Sequence, residues 1–230
     1  MPRSHIIAGS AALLAAIPHG EEYRGGRPLP TPAKPTLSEI FSGNGRDACG
    51  VGFALSQARS DAPLLWVQDR MSLLETGRPF AAAINRDFIH VETRDARAAL
   101  WAMEEGLRCP ELGAVVGEIW GNPAALDFTA TRRLAVAAEA HGVQAFLILF
   151  ACLPNLSGAR MRWRVESRPS LAHPYDDRAP GAPVWSLDLF RARGAPPGLW
   201  EAAGEADRLD LLPALRDQKL PSAEAPRRTA

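Results

Sequence analysis

The chain has 230 residues, and its 26 lysine and arginine residues balance its 26 aspartate and glutamate residues, so the formal net charge is zero. A balanced charge excludes a global attraction to nucleic acid or to acidic membranes, and any nucleic-acid contact would need a local basic patch. The composition, 47% hydrophobic and 23% charged, is typical of one globular domain.

The cysteines and the apolar runs indicate the compartment. Cys49, Cys109 and Cys152 lie far apart and cannot all pair within one chain, which favours a reducing cytoplasm. Residues 6–17 form an apolar run after Arg3, and a cleaved leader is the alternative interpretation of that run. No run approaches the ~20 apolar residues of a membrane span, so we expect no membrane partner.

The first 36 residues are predicted to hold a short helix followed by a linker, because residues 25–35 contain two glycines and four prolines. From Leu37 onward, short apolar runs alternate with helical periods, the rhythm of a parallel sheet with crossover helices. The runs "PLLWVQ", "GAVVGEI" and "QAFLILF" are apolar on both faces, which is typical of buried central strands.

The pattern changes after Cys152, where "ARMRWRVESR" and "VWSLDLFRAR" alternate polar and apolar residues and predict an antiparallel pair at one edge of the sheet. A helix interrupted by Pro213 is predicted over residues 207–218. Residues 219–230 lack the apolar content to fold and are predicted to be disordered. The predicted fold class is α/β, with a core domain over residues 37–218 built on a mainly parallel sheet flanked by helices.

A glycine-rich turn, "SGNGRDACGVG", follows the first strand, at the favoured ligand position of a parallel α/β sheet. A helix starting there would offer backbone N–H groups to an anion. The candidate residues of this degenerate phosphate loop are Gly43, Asn44, Gly45, Arg46, Asp47 and Gly50.

A phosphate loop that supports ATP hydrolysis also needs a lysine and a hydroxyl residue, in the pattern G-x-x-x-x-G-K-[ST]. Matching the glycines puts Val51 and Gly52 at these two positions, and a shifted frame puts Ala48 and Cys49 there. Both frames lack the required chemistry, so the sequence predicts a protein that does not hydrolyse nucleotides and needs no cofactor or metal.

Two interpretations of the turn remain open. Arg46 could contact a phosphate in place of the lysine, although Asp47 beside it would repel a triphosphate. Alternatively, the glycines only allow the strand and the helix to approach each other closely.

Two acidic residues occupy positions at which ATPases carry functional acids. Glu118 ends an apolar strand, where such enzymes place the carboxylate linked to Mg²⁺, and Asp69 stands where an acid could activate water. Without the lysine and the hydroxyl we interpret both as vestigial, and the alternative is a structural role at a strand end.

A strand over residues 161–168 would place several arginines on one face and would make that face strongly basic. Two more arginines lie on the helix "TATRRLAVAAEA", which Thr129 or Asp127 can cap. A DNA-binding or partner-binding stripe is the functional interpretation, and a solvated face is the alternative. The residues in question are Arg160, Arg162, Arg164, Arg168, Arg132 and Arg133.

The six tryptophans hint at an interaction surface, because tryptophan is enriched at binding hot spots. Trp66 and Trp101 are predicted to be buried. Trp120, Trp185 and Trp200, near strand or loop ends, are the candidates for partner contact.

Long segments of the chain carry a family resemblance. The stretches "WAMEEGLRCPELGAVVGEIWG" and "LDFTATRRLAVAAEAHG", together with "EIFSGNG", "LLWVQD" and "APVWSLDLFRARGAPPG", resemble the ImuA family, RecA-like accessory proteins of bacterial mutagenic repair. The resemblance covers roughly residues 37–200 and implies a RecA-like core.

The resemblance also implies a role in the SOS response to DNA damage, in translesion synthesis by the mutasome. The implied partners are an ImuB-type protein and an error-prone DNA polymerase, with RecA or single-stranded DNA as further candidates. The segment "ACLPNLSG" after "FLILF" is short for a DNA-gripping loop, which argues against filament formation on DNA. An ATP- and Mg²⁺-using motor and a small α/β enzyme with a pocket at the glycine loop are the alternative functions.

Overall fold

A computed structural model describes residues 28–42, 47–176, 178–205 and 208–212. The helices are α1 (Cys49–Gln57), α2 (Arg70–Thr76), α3 (Ala96–Gly106) and α4 (Phe128–His141), with a short 3-10 turn at Ala81–Ala83. The strands are β1 (Leu37–Ser42), β2 (Leu64–Asp69), β3 (Phe88–Thr93), β4 (Ala114–Trp120), β5 (Gln144–Phe150), β6 (Met161–Arg168), β7 (Val184–Ala192), β8 (Gly198–Glu205) and β9 (Arg208–Leu211).

The nine strands of the described residues form one sheet in the order β3-β2-β4-β5-β1-β6-β7-β8-β9. The strands from β3 to β6 in this order run parallel, and β7, β8 and β9 each run antiparallel to the strand before them. The predicted fold class, a mainly parallel sheet flanked by helices, is confirmed. The antiparallel β6–β7 pair is also confirmed, but it lies inside the sheet because β8 and β9 continue beyond it.

Helices cover both faces of the parallel strands, which explains why the central strands are apolar on both sides. On one face, Met103 of α3 and Leu134 of α4 belong to a buried cluster with Val115 of β4. On the other face, Phe53 of α1 packs in a second cluster with Val116 of β4. Consecutive valines therefore point to opposite cores, as strand geometry requires. Within the described residues, no helix is long and apolar enough to cross a membrane.

Aspartate side chains set the start of three helices. Asp69, Asp95 and Asp127 each accept a hydrogen bond from the backbone N–H three residues later, at distances of 2.8, 2.8 and 2.7 Å. These bonds satisfy amides that lack a partner within the helix. Asp127, one of the two residues proposed to cap α4, is thus the cap.

The C-terminal part of the fold corrects one prediction. Residues 208–211 form strand β9 and not a helix. Leu209 and Leu211 pack against the core and Asp210 between them is exposed, so this segment follows the period of a strand. The predicted N-terminal helix and the tail over residues 219–230 lie outside the described residues. Residues 28–36 contain neither helix nor strand, in agreement with their prolines.

A buried ion pair joins β1 to β6 at the centre of the sheet. Arg162 Nε donates to Glu39 Oε2 at 2.6 Å, and the Glu39 carboxylate also accepts from the Ser157 hydroxyl. The guanidinium of Arg162 lies between the rings of Phe41 and Phe190, 5.2 and 5.4 Å from their centroids. The charge is therefore compensated by a carboxylate and by two aromatic faces.

We expect Arg162→Met to lower the free energy of unfolding by about 3–5 kcal/mol, because Glu39 would remain as a buried charge without its cation. The double variant Glu39→Leu/Arg162→Met should lose much less, since no unpaired charge is left. Denaturation in urea measures both. The matched control is Arg59→Met, at an exposed pair with Asp61. An Arg162→Met effect no larger than that of the control would contradict this interpretation.

Candidate functional site

A cavity of about 520 Å³ opens at the carboxyl edge of the parallel strands, beside the start of α1. Ligands of parallel α/β sheets bind at this edge, and pockets for small ligands measure about 300–1,000 Å³. We call it the carboxyl-edge cavity. Its large apolar lining residues are Val51, Leu55, Trp66, Phe80, Phe150 and Trp185, and its polar lining residues include Asp47, Gln68, Thr76, Arg78, Glu118 and Ser167.

Glu118, near the end of β4, forms the buried floor of the cavity. Its Oε1 accepts a hydrogen bond from Trp66 Nε1 at 2.8 Å, and its Oε2 accepts from Gln68 Nε2 at 2.9 Å. Oε2 also accepts from Thr76 Oγ1 at 3.2 Å, and the Thr76 hydroxyl shares this hydrogen with the Ser72 backbone oxygen at 2.9 Å. Burial raises the pKa of this carboxyl, and the three hydrogen bonds oppose the rise. The chain's own donors therefore hold the acid in one orientation.

Gln68 links Glu118 to the outer strand of the sheet. Its amide nitrogen donates to Glu118 and, at 2.9 Å, to the backbone oxygen of Gly77, which fixes the orientation of the amide. Its Oε1 lies 2.8 Å from His90 Nε2. Burial lowers the pKa of His90, so the ring is neutral with the proton on Nε2, the tautomer that can donate to Gln68.

Asp47 occupies the N-terminus of α1, where a phosphate loop would hold its anion. Its Oδ1 accepts from the backbone N–H of Cys49 at 3.0 Å and from Ser167 Oγ at 2.6 Å, and its Oδ2 accepts from the Ser167 N–H at 3.2 Å. The first amide of the helix thus binds a carboxylate of the chain itself. The other predicted loop residues, Gly43, Asn44, Gly45 and Arg46, lie outside the described residues.

The glycines at the start of α1 allow close packing. A Cβ on Gly52 would lie 2.6 Å from the ring of Trp185, and a Cβ on Gly50 would lie 3.2 Å from Ile40 Cγ2. The close-approach interpretation is therefore supported for both residues, and position 52 has no room for a hydroxyl side chain.

Cys49, which stands at the hydroxyl position in the other frame, carries a neutral thiol. Burial and the neighbouring Asp47 carboxylate raise its pKa to about 12. The thiol donates to the backbone oxygen of Val165 at 3.4 Å. Neither frame therefore supplies a group that could bind Mg²⁺ at this position.

Asp69 lies at the end of β2, and its Oδ1 caps α2 through the N–H of Ser72. The side chain is buried and does not line the carboxyl-edge cavity. The geometry thus gives Asp69 a structural role at the strand end.

The structure corrects the predicted basic stripe on β6. Arg162 and Arg164 are buried, the first paired with Glu39 and the second with Asp188 of β7, with Arg164 Nη1 at 3.1 Å from Asp188 Oδ2. The face is covered rather than solvated, so these two arginines cannot reach DNA or a partner. Charge reversal there would change stability rather than binding.

The remaining arginines of the predicted stripe do not form one surface. Arg160 Nε donates to Glu139 Oε1 at 2.6 Å, at the opposite edge of the sheet from the cavity. Arg133 of α4 pairs with Glu104 of α3. Arg132 and Arg168 are exposed and lie on different elements, α4 and the end of β6.

Three of the tryptophan predictions are also wrong. Trp101 is 61% exposed, because it lies one position beyond the buried Leu100 on α3 and faces solvent. Trp185 and Trp200 are buried in the core. Trp66 is buried as predicted, and Trp120 is half-buried at the end of β4.

Sequence reasoning missed Gln68, Thr76 and the indole N–H of Trp66 as partners of Glu118. Helix α2, which supplies Thr76, carried a detectable signal, since a capping aspartate precedes it and Gly77 ends it. The contacts between β2 and β4 had no such signal, because the local sequence does not show which strands are neighbours in the sheet.

We expect Gly52→Ala to destabilise the protein by about 1–3 kcal/mol, because the new methyl group would overlap the indole of Trp185. In the double variant Gly52→Ala/Trp185→Leu the loss should be smaller than the sum of the two single losses. Chemical denaturation measures the four proteins. Gly50→Ala is the comparison and should lose less, since its nearest contact would be 3.2 Å rather than 2.6 Å. A fully stable Gly52→Ala protein would contradict the packing assignment.

Comparisons relate about three quarters of the chain to known proteins. No family model matches the chain. A solved structure of a DnaB-like replicative helicase, described with its interactions with primase, aligns with a TM-score of 0.43 at 13% identity, over 76% of this chain and 57% of the helicase chain. Two curated relatives, each called Protein ImuA and from two strains of Caulobacter vibrioides, are 30% identical over 185 residues, 74% of this chain and 74% of the relative. With this identity over this share of both sequences, the chain belongs to the ImuA family.

Proposed function

We propose that this protein is a RecA-like accessory and interaction protein of the SOS-induced mutasome. In this role it supports translesion DNA synthesis together with an ImuB-type protein and an error-prone DNA polymerase, and it neither hydrolyses ATP nor needs a cofactor. Membership of the ImuA family supports the mutasome role. The geometry of the carboxyl-edge cavity supports the absence of hydrolysis.

The observation that carries the second part is the Asp47 carboxylate on the first amide of α1. A triphosphate bound at this helix terminus would meet a fixed negative charge at hydrogen-bond distance from the amide it needs. Glu118 adds a second carboxylate to the same cavity. Both carboxylates oppose the binding of a nucleotide.

The cavity also lacks a cation placed like the lysine of a phosphate loop, among the described residues that line it. Arg78 lies at the mouth, with its side chain 69% exposed, and its Nη2 pairs with Glu92 at 2.6 Å. An exposed arginine with its own carboxylate partner is a poor substitute for a buried lysine on the β- and γ-phosphates.

Titration with ATP and Mg²⁺ in a calorimeter should give no binding at micromolar concentrations, and phosphate release should equal the background without protein. A RecA-type ATPase measured in parallel provides the positive control. Micromolar affinity with turnover would overturn the non-hydrolysing proposal and favour the ATP-using motor.

The exposed Trp101 makes the solvent-facing side of α3 a candidate surface for binding the partner protein. Trp101 stands between Arg97 and Glu104 beside a groove of about 250 Å³ that α3 and the start of α4 form. Tryptophan is enriched at binding hot spots.

Co-expression with the ImuB-type protein of the same organism should yield a complex that survives purification at micromolar concentration. Trp101→Ala should weaken the complex about tenfold or more, because truncation of a hot-spot tryptophan costs roughly 2 kcal/mol. Tyr175→Ala, at a residue that is 92% exposed, is the control and should leave the affinity unchanged. Two proteins that stay separate at this concentration would contradict the proposed partnership.

A further inference from the structure

The carboxyl-edge cavity is a built site whose chemistry differs from that of a phosphate site. Large aromatic rings form much of its wall, with Trp66 and Trp185 buried in the core and Phe80 exposed at the mouth. Apolar walls with a few fixed polar groups are typical of pockets for small organic ligands. The cavity is larger than a single small ion, and its apolar wall favours a ligand with an apolar body.

The charges that face the cavity favour a cation. Of the described residues that line it, Asp47 and Glu118 carry carboxylates. Among these described residues, Arg78 is the cation, and its guanidinium pairs with Glu92 outside the cavity. This arrangement of charges attracts positive charge and repels anions.

Glu118 is prepared to accept one more hydrogen bond. A carboxylate has about four acceptor positions, and three donors of the chain already occupy positions on its two oxygens. Among the described residues, Oε1 accepts from Trp66 alone, so its second lone pair is the position for an N–H group of a ligand. The three existing bonds hold the oxygen in place, which lowers the ordering cost of binding.

The aromatic residues of the cavity wall also favour a cationic ligand. A cation near the face of a tryptophan, tyrosine or phenylalanine ring is stabilised by the ring quadrupole, most strongly at tryptophan. Trp66 combines both features, since its N–H orients Glu118 while its ring belongs to the cavity wall.

We infer that the carboxyl-edge cavity binds an organic cation with an apolar body, whose ammonium or guanidinium head donates to Glu118 Oε1 while its body lies against the aromatic walls. This inference does not rest on the mutasome role. Two sources share this chemistry, a free amine and an arginine or lysine side chain of another protein.

Three probes of similar size but different charge show whether charge or shape governs the affinity for the cavity. Phenethylamine carries a positive charge, 2-phenylethanol is neutral, and phenylacetate is negative. We expect the full chain to bind the amine about 10–100-fold more tightly than the alcohol, the range of a hydrogen bond to a charged group, and to bind phenylacetate more weakly than both. Calorimetry or NMR titration at millimolar probe concentrations measures the three affinities.

Glu118→Gln tests the residue that carries the inference. The substitution keeps the size and removes the charge, so the affinity for the amine should fall to that for the alcohol, while the affinity for the alcohol stays the same. Glu75→Gln removes an exposed carboxylate of α2 and is the matched control, with no change expected for either probe. If Glu118→Gln does not fold, the indole N–H resonance of Trp66 in the unchanged protein is the readout, and it should shift more with the amine than with the alcohol.

A comparison with the dipeptide acetyl-Phe-Arg-amide distinguishes the two sources. Tighter binding of the dipeptide than of phenethylamine points to a side chain of a partner protein, and the reverse points to a free amine. Equal affinity for the amine and the alcohol, a preference for phenylacetate, or no binding of any probe would overturn the inference. ATP titrated into the same sample keeps this result separate from the fate of the non-hydrolysing proposal.

Discussion

The pairing of Glu39 with Arg162 is the constraint on which the rest of the sheet depends. Both charged side chains are buried between β1 and β6, where an unpaired charge would destabilise the fold. Their contact supports a single register for the two strands, and β7, β8 and β9 are then added in sequence to β6. This order brings Ser167 at the end of β6 and Trp185 at the start of β7 to the carboxyl edge, where they contact the beginning of α1. The contact at the centre of the sheet thus stabilises the strand pairing that places these residues beside the cavity.

The two carboxylates at that edge show how a sheet of this type can keep its architecture and change its chemistry. Asp47 satisfies the helix amide internally, and Glu118 is satisfied by Trp66, Gln68 and Thr76 of neighbouring elements. Each acid has its hydrogen bonds without a bound metal or phosphate. At the position that the topology provides for a ligand, the lining carboxylates give a polarity opposite to that of an anion site.

Much of the architecture could be predicted from the sequence, because buried strands and capped helices leave local signals. The alternation around Trp163 correctly indicated which residues of β6 share a face. It could not indicate that the face with Arg162 and Arg164 is covered, since burial depends on what packs against the strand. Strand β8 was missed because its segment "EAAGE" has little β propensity, and tertiary pairing with β7 overrides that preference. The site was predictable at Glu118 by its place at a strand end, whereas its donors come from elements that only the fold brings together.

Trp185 also fixes the shape of one side of the cavity. Its indole is held between the backbone of α1 at Gly52 and the backbone of β8 at Gly204, so the ring cannot rotate without separating a helix from a strand. The connection from Gly77 to Phe80 also lines the cavity, and the ring of Phe80 is largely in solvent. Trp185 therefore gives the cavity one rigid wall, whose shape a ligand has to match.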